Sequence, residues 1–354
     1  MGKLILIFLV FLSSKLIAED REWIFIDSVK VGDSMMKIRG NFIVVDSLDN
    51  KYIFEDNTDE INTNIDKPSY IFIFDNNKWD TVSYEKKYNF ILTPVTSPLV
   101  ASDNSIFWTS YIYVNMKIEE YLVKLKDKKL EIFKINNLDS SFNIHPYSGR
   151  NSLIDRNSII HIFNTVDIMS LNTTEKKVIK IDSSFSKLLM DSIPINFANA
   201  HSLLFLNSNN SLSILYYYTQ YQVDTIKLKL VSMKPTDSTW GIVTEKSFSR
   251  YWGPVRFSSF NDQLFVFVFG NLQKERKNLF YHFDKDWKEY DLKDLNPGSQ
   301  FWFCSDIDNG GNYWLPVNGL DLLKIKDGRF DHIPTILPYG LNNLRVIKFD
   351  KQNN

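Results

Sequence analysis

Phe42-Ile43-Val44-Val45-Asp46-Ser47-Leu48-Asp49-Asn50-Lys51-Tyr52-Ile53-Phe54 reads as a strand, a turn and a second strand. Two short apolar runs flank a polar tip, and Asp and Asn are residues that tolerate the left-handed conformation a tight reversal needs. The same signal returns at Asp103-Asn104, Arg156-Asn157, Asn209-Asn210, Asn261-Asp262, Asn309-Gly310 and Gln352-Asn353. The interval is about fifty residues, and strand–turn–strand units at such a period are the signature of a β-propeller.

Working outward from the first turn gives a four-stranded blade: Asn41 to Asp46, Lys51 to Phe54, Tyr70 to Phe74 and Trp79 to Tyr84. Asp75-Asn76-Asn77-Lys78 joins the last two with ordinary hairpin chemistry. A second blade follows with Leu99 to Ala101, Ile106 to Val114, Tyr121 to Lys126 and Leu130 to Ile135. Further blades are expected over Ser152 to Ile181, Leu203 to Lys246, Phe257 to Tyr290 and Asp306 to His332. The expectation is an all-β fold of six complete four-stranded blades. Glu22 to Asp27 and Leu344 to Asp350 also read as strands, and leave two readings open: an abbreviated seventh blade closed by the termini, or a truncated chain.

The sixth copy is the sharpest: Asp306-Ile307-Asp308-Asn309-Gly310-Gly311-Asn312-Tyr313-Trp314-Leu315-Pro316-Val317-Asn318-Gly319-Leu320, then Leu322 to Ile325, Asp327-Gly328 and Arg329 to His332. It resembles the two-component-regulator propeller repeat, Asp-x-x-Gly-Asn-x-Trp-Ile-Gly-Thr-x-x-Gly-Leu followed by a strand, Asp-Gly and an aromatic residue. Gly311-Asn312, Trp314 and Gly319-Leu320 carry the match, and Leu315-Pro316 departs from it. The other blades keep the rhythm rather than the motif. The resemblance implies a sensory role, because in that family the propeller is the extracytoplasmic input domain of a membrane kinase.

The first eighteen residues read as an export signal. Lys3 supplies the positive charge, Leu4 to Leu12 the apolar core, and cleavage is expected after Ala18. That core is too short to span a bilayer, no cysteine follows it to carry a lipid, and no later stretch is apolar enough to cross. The expected organisation is residues 1–18 as signal and 19–354 as one propeller domain, located in the periplasm, at the cell surface or outside the cell. Losing Lys3 and Lys15 takes the formal charge from −1 to −3, which offers nothing to nucleic acid or an acidic membrane. Aromatic residues make up 15% of the chain, a bias that suits strands. Cys304 is the one cysteine, so no internal disulfide is expected, and in Phe301-Trp302-Phe303-Cys304 it reads as a packed thiol.

Enzyme signatures are missing. There is no Gly-x-Ser-x-Gly, no His-Glu-x-x-His and no phosphate loop, and no cofactor is expected. His145, His161, His201, His282 and His332 are scattered along the chain, and His161 and His282 read as packed strand positions. Asp306-Ile307-Asp308 resembles the opening of a calcium loop, but Gly310 replaces the third oxygen ligand and Val317 the bidentate Glu, so a tight turn is expected. Asn172-Thr173-Thr174 matches a glycan acceptor, a short code that often occurs by chance.

The segments entering each first strand converge at one end of a propeller channel. Several carry basic or aromatic residues: Arg39; His145, Tyr147 and Arg150; His201; Tyr251, Trp252 and Arg256; Trp302; Tyr339 and Arg345. The uncharged Thr93 to Pro98 breaks the series. Guanidinium forks and ring faces together suit sugars or carboxylates, although the same residues also serve as solvated loops or as stems packed on rings. The leading expectation is a non-enzymatic recognition module for a small ligand or a protein. The alternatives are a lyase or glycan hydrolase, for which His145-Pro146-Tyr147 is the pair to test, and a scaffold binding proteins through apolar outer strands.

Overall fold

The computed structural model describes residues 28–37, 40–55, 70–75, 78–83, 98–114, 117–135, 151–163, 167–175, 177–185, 188, 201–220, 225–234, 239–249, 252–260, 262–270, 278–291, 306–317, 321–326 and 329–334. A short hairpin comes first, β1 (Ser28–Val31) and β2 (Ser34–Lys37), reversing at Gly32 with φ of 59°. Blade 1 is β3 (Gly40–Val45), β4 (Lys51–Glu55), β5 (Tyr70–Asp75) and β6 (Lys78–Ser83). Blade 2 is β7 (Leu99–Val100), β8 (Ile106–Val114), β9 (Lys117–Lys126) and β10 (Lys129–Lys134). Blade 3 is β11 (Asn151–Ile154), β12 (Ile159–Phe163), β13 (Ile168–Asn172) and β14 (Lys177–Asp182). Blade 4 is β15 (His201–Leu206), β16 (Leu212–Gln220), β17 (Thr225–Met233) and β18 (Trp240–Ser249). Blade 5 is β19 (Trp252–Phe260), β20 (Gln263–Gly270), β21 (Asn278–Phe283) and β22 (Trp287–Asp291). Blade 6 is β23 (Asp306–Ile307), β24 (Tyr313–Val317), β25 (Asp321–Lys326) and β26 (Arg329–Pro334).

Within every blade the strands pair in chain order, which makes the fold a six-bladed β-propeller. The two terminal segments read as further strands, Glu22 to Asp27 and Leu344 to Asp350, lie outside the described residues, as do Cys304 and the signal segment. Among the described residues no helix is long and apolar enough to cross a membrane. The first strands of neighbouring blades touch, β3 with β7, β11 with β15 and β15 with β19, so the first strand is the innermost.

Contacts divide the chain into two compact units, one built on blades 1 and 6 and most of blade 2, the other on blades 3, 4 and 5. In the first, Phe54, Ile71 and Ile73 of blade 1 pack on Ile106, Trp108, Val123 and Leu125 of blade 2. The Phe54 and Trp108 rings meet edge to face at 5.1 Å. On the other face of blade 1, Ile53 and Phe72 bury Val29 of the hairpin. Successive strand residues point to opposite faces, and both faces are covered, so these strands read as unbroken apolar runs.

The second unit repeats the scheme. Leu204, Ile214 and Val231 of blade 4 face Leu153, Phe163 and Ile168 of blade 3. Their sequence neighbours Phe205, Leu215 and Leu230 face Leu264, Val266 and Tyr281 of blade 5. Phe185 sits between Phe163 and Trp240, with ring centroids 5.6 and 5.2 Å away. The fully buried Lys229 amine donates to the Leu188 carbonyl at 3.4 Å and lies 3.7 Å from Glu245.

The outer strands of blades 3 and 4 each carry a β-bulge. Ser170 pairs with Lys180 and Leu171 with Val178, leaving Ile179 extra; Leu230 pairs with Thr244 and Val231 with Ile242, leaving Val243 extra. Both extra residues are exposed, at 54% and 52%. Bulges twist an edge away from foreign strands.

Because Trp108 joins the cores of two blades, Trp108→Ala is expected to cost about 3–5 kcal/mol of unfolding free energy in a denaturant titration. A loss under about 1 kcal/mol would contradict this packing account.

Candidate functional site

The residue immediately after the innermost strand organises the turn into the second strand. In five blades this residue is Asp46, Ala101, Asp155, Asn207 or Asp308. Its N–H donates to the carbonyl four residues on, and its own carbonyl accepts the N–H three residues on, at 2.8 to 3.1 Å throughout. That third residue always has positive φ: Asp49 at 72°, Asn104 at 61°, Ser158 at 59°, Asn210 at 60° and Gly311 at 73°. This is a type I turn closed by a left-handed residue, and it explains why Asn, Asp and Gly recur at the tips. Blade 5 differs. Phe260 pairs with Gln263 across a two-residue reversal in which Asp262 has φ of 67°.

The aspartate side chains then collect the remaining donors. Oδ1 of Asp46 accepts the Leu48 and Asn50 N–H groups at 2.8 and 3.0 Å. Asp155 Oδ1 accepts those of Asn157 and Ile159 at 2.8 and 2.9 Å, and Asp308 Oδ1 those of Gly310 and Asn312, both at 2.9 Å. Oδ2 turns toward the residue six positions on. Trp314 Nε1 donates to Asp308 at 2.8 Å, Tyr52 Oη donates to Asp46 at 3.1 Å, and His161 Nε2 lies 3.5 Å from Asp155. Burial, together with the Asp46 charge and hydrogen bond, pushes the Tyr52 hydroxyl above its ordinary pKa. Where blade 2 has Ala101 in place of the acid, the sixth position is Phe107, which has no donor to offer. The calcium-like stretch forms a tight turn in which both oxygens of Asp308 face N–H donors.

Neighbouring blades are tied through these same turns. Ser47 donates its N–H and hydroxyl to Asn104 Oδ1 at 3.0 and 2.5 Å, and Ser208 bonds Asp262 in the same two ways. At the outer edge, Trp240 Nε1 donates to Asp182 at 3.3 Å and Trp287 Nε1 to Thr244 Oγ1 at 3.0 Å. Burial would raise the Asp182 pKa, but donors from Ser184, Lys180 and Trp240 outweigh it and hold it down to about 2.

Blade 3 joins an acid, a base and a hydroxyl. His161 Nδ1 lies 2.9 Å from Ser170 Oγ, and the ring is buried beside Asp155. Burial lowers the His161 pKa and the Asp155 charge opposes this without cancelling it. A neutral ring that gives its Nε2 proton toward Asp155 must accept at Nδ1, so the Ser170 hydroxyl donates there. His282, in contrast, stacks on Phe265 at 5.0 Å and meets Gln263 at 3.1 Å, a packed strand position as its neighbours imply.

Of the residues expected to line the ring mouth, Arg39, His145, Tyr147, Arg150, Tyr251, Trp302, Tyr339 and Arg345 lie outside the described residues. His201 opens β15 opposite Tyr217, Trp252 opens β19 opposite Gly270, and Arg256 lies within β19 opposite Phe267. The Ser208–Asp262 contact joins the far ends of β15 and β19, so His201 and Trp252 share the opposite end of two adjacent innermost strands. The sequence reading gave no role to Asp46, Asp155 or Ser170, and read Asp308 as part of a tight turn resembling the opening of a calcium loop. A carboxylate six residues before Tyr52, His161 and Trp314 was the signal that marks the three aspartates.

No family model and no curated protein matches this chain. Among solved structures, virginiamycin B lyase from Staphylococcus aureus is 13% identical over 88% of this chain and 89% of its own, with a TM-score of 0.50. The polysaccharide lyase Uly1 is 9% identical over 85% and 82%, with a TM-score of 0.48. AofleA from Arthrobotrys oligospora is 11% identical over 83% and 85%, with a TM-score of 0.46. At such identities the likeness is one of fold alone.

Asp308→Ala strands several donors at once and is expected to cost at least about 2 kcal/mol in chemical unfolding, since bonds to charged groups contribute roughly 1.5–3 kcal/mol. Asp308→Asn should also destabilise, because its amide would face the Asn312 amide and the Trp314 ring N–H. Neutral behaviour of both would refute the assignment. Asp182 makes a separate prediction. Its folded pKa lies below the unfolded value near ~3.9, so its contribution is present above that pH and lost as pH falls toward about 2. Thermal unfolding across that window should show a steeper loss for the native chain than for Asp182→Asn, and parallel curves would contradict the linkage.

Proposed function

We propose that this chain is an exported recognition propeller that binds a small sugar-like or carboxylate ligand where its innermost strands begin. One observation carries the reading: the starts of β15 and β19 share one end of adjacent strands, which gathers His201 and Trp252 there. In the sequence Tyr251 directly precedes Trp252, and Arg150 directly precedes β11, the innermost strand next to β15. Rings supply stacking area for a sugar face, and guanidinium forks orient oxygens. Export is supported by the apolar run Leu4 to Leu12 behind Lys3. A sensory role, acting through a protein partner, is supported by the repeat resemblance around Gly311-Asn312 and Trp314 and is held as analogy to that family.

The test is a thermal-shift screen of residues 19–354 against oligosaccharides, sugar acids and small carboxylates. A ligand at about a hundred times its Kd adds roughly 2.7 kcal/mol of stability. One chemical class should raise the Tm, and Trp252→Ala and Arg256→Ala should each abolish the shift while leaving the ligand-free Tm nearly unchanged. No shift with any class, or unfolding of both variants, would sink the proposal.

A further inference from the structure

We propose that Ser170 is an activated nucleophile able to take up an acyl group from a small carboxylic ester, at a position separate from the innermost strand starts. The turn architecture explains only half of what surrounds it. Tyr52 and Trp314 show what the position six residues after the aspartate requires: a ring with one donor aimed at Oδ2. His161 meets that requirement with Nε2 and still has a second nitrogen, which the turn does not need. That nitrogen faces the Ser170 hydroxyl at 2.9 Å.

Blade 4 shows the same row without a base. There Ser213 holds the position six after Asn207, and its hydroxyl lies 2.9 Å from Ser232 Oγ. The pair is inert because neither hydroxyl can take the other's proton. In blade 3 the row across the sheet is Leu153, His161, Ser170 and Lys180, each opposite the next in register. It lines up an imidazole, a hydroxyl and a cation, and Asp155 at the turn reaches the imidazole from outside the row.

Two further features bear on reactivity. The bulge of blade 3 lies opposite Ser170 and Leu171, with the extra residue Ile179 on the outer strand. Ser170 is half-buried rather than enclosed, so a small reagent can reach it, and the Lys180 side chain beside it is 53% exposed. The Lys180 amine itself pairs with Asp182 at 2.9 Å, two residues along the same strand.

The chemistry balances without a cofactor. Ser170 Oγ bonds to the ester carbonyl carbon as its proton passes to His161 Nδ1, and Asp155 offsets the charge on the imidazolium. The tetrahedral adduct collapses, the carbon–alkoxy bond breaks, and the leaving alcohol takes the proton from Nδ1. Water then attacks the acyl-Ser170 ester, giving a proton to Nδ1. The serine regains a proton as the carboxylic acid departs. In this scheme Asp155 is a positioning residue, since it acts through the ring.

The test is to treat residues 19–354 with a small fluorophosphonate and map adducts by peptide mass spectrometry. The probe reports the first half-reaction: an Oγ–P bond forms, the P–F bond breaks and fluoride leaves. The expected result is labelling of Ser170 about a hundredfold or more above other exposed serines of the same chain, the range a positioned base supplies. Ser170→Ala removes this adduct, and His161→Gln lowers its rate by a similar factor. The comparison with other serines needs no variant, so it holds even where His161→Gln does not fold. Labelling of Ser170 no faster than the other serines overturns the proposal, and so does an unchanged rate in a folded His161→Gln chain.

Discussion

A carboxylate withdrawn from water must be surrounded by donors, and this requirement shapes the inner edge of the propeller. Asp46 and Asp308 are 4% and 7% exposed, and a charge that dry is tolerated only when its oxygens are bonded. The type I turn supplies two backbone N–H groups to one oxygen, and the second strand supplies a ring donor to the other. Three consequences follow from one side chain. The first strand ends where it does, the fourth turn residue is driven to positive φ, and the second strand enters in the register that brings its ring back to the acid.

The variations among blades obey the same rule. Ala101 lacks the acid and Phe107 lacks the donor, so neither is left unsatisfied. In blade 2 the turn is held instead by Asp103, whose Oδ1 accepts the Ser105 N–H at 3.0 Å while Oδ2 meets Lys126 at 2.7 Å. Asn207 Oδ1 accepts the Ser211 N–H, and its amide donates to Ser232 Oγ, which in turn meets the Ser213 hydroxyl. Because so few positions carry the repeat, its copies diverge freely elsewhere, in keeping with the absence of any matching family model. Packing is equally permissive, since any apolar residue of fitting size serves between blades.

Much of the fold was legible because its blade strands are covered on both faces. Ile71-Phe72-Ile73 and Leu203-Leu204-Phe205 read as strands from composition alone, and the turn tips gave their spacing. The hairpin Ser28 to Lys37 was not legible: its strands are four residues long and its surroundings polar. The shared role of the aspartates was not legible because composition marks the turn tip, whereas the organising residue stands three positions earlier, at the strand end. Ser170 was beyond reach of the sequence, since its approach to His161 depends on the pairing of β12 with β13. Of the residues expected at the ring mouth, His201, Trp252 and Arg256 lie on described strands.

The measurement that tests the account most directly is native-state amide hydrogen exchange, resolved residue by residue. Leu48, Asn50, Asn157, Ile159, Gly310 and Asn312 stand in or beside turns, and their N–H groups are bonded to aspartate oxygens rather than left to solvent. The account predicts that these amides exchange as slowly as those of the flanking strands, opening only with the blade. Exchange at the rate of an open surface turn would contradict it, and would leave the repeated aspartates as ornaments of the turn rather than its cause.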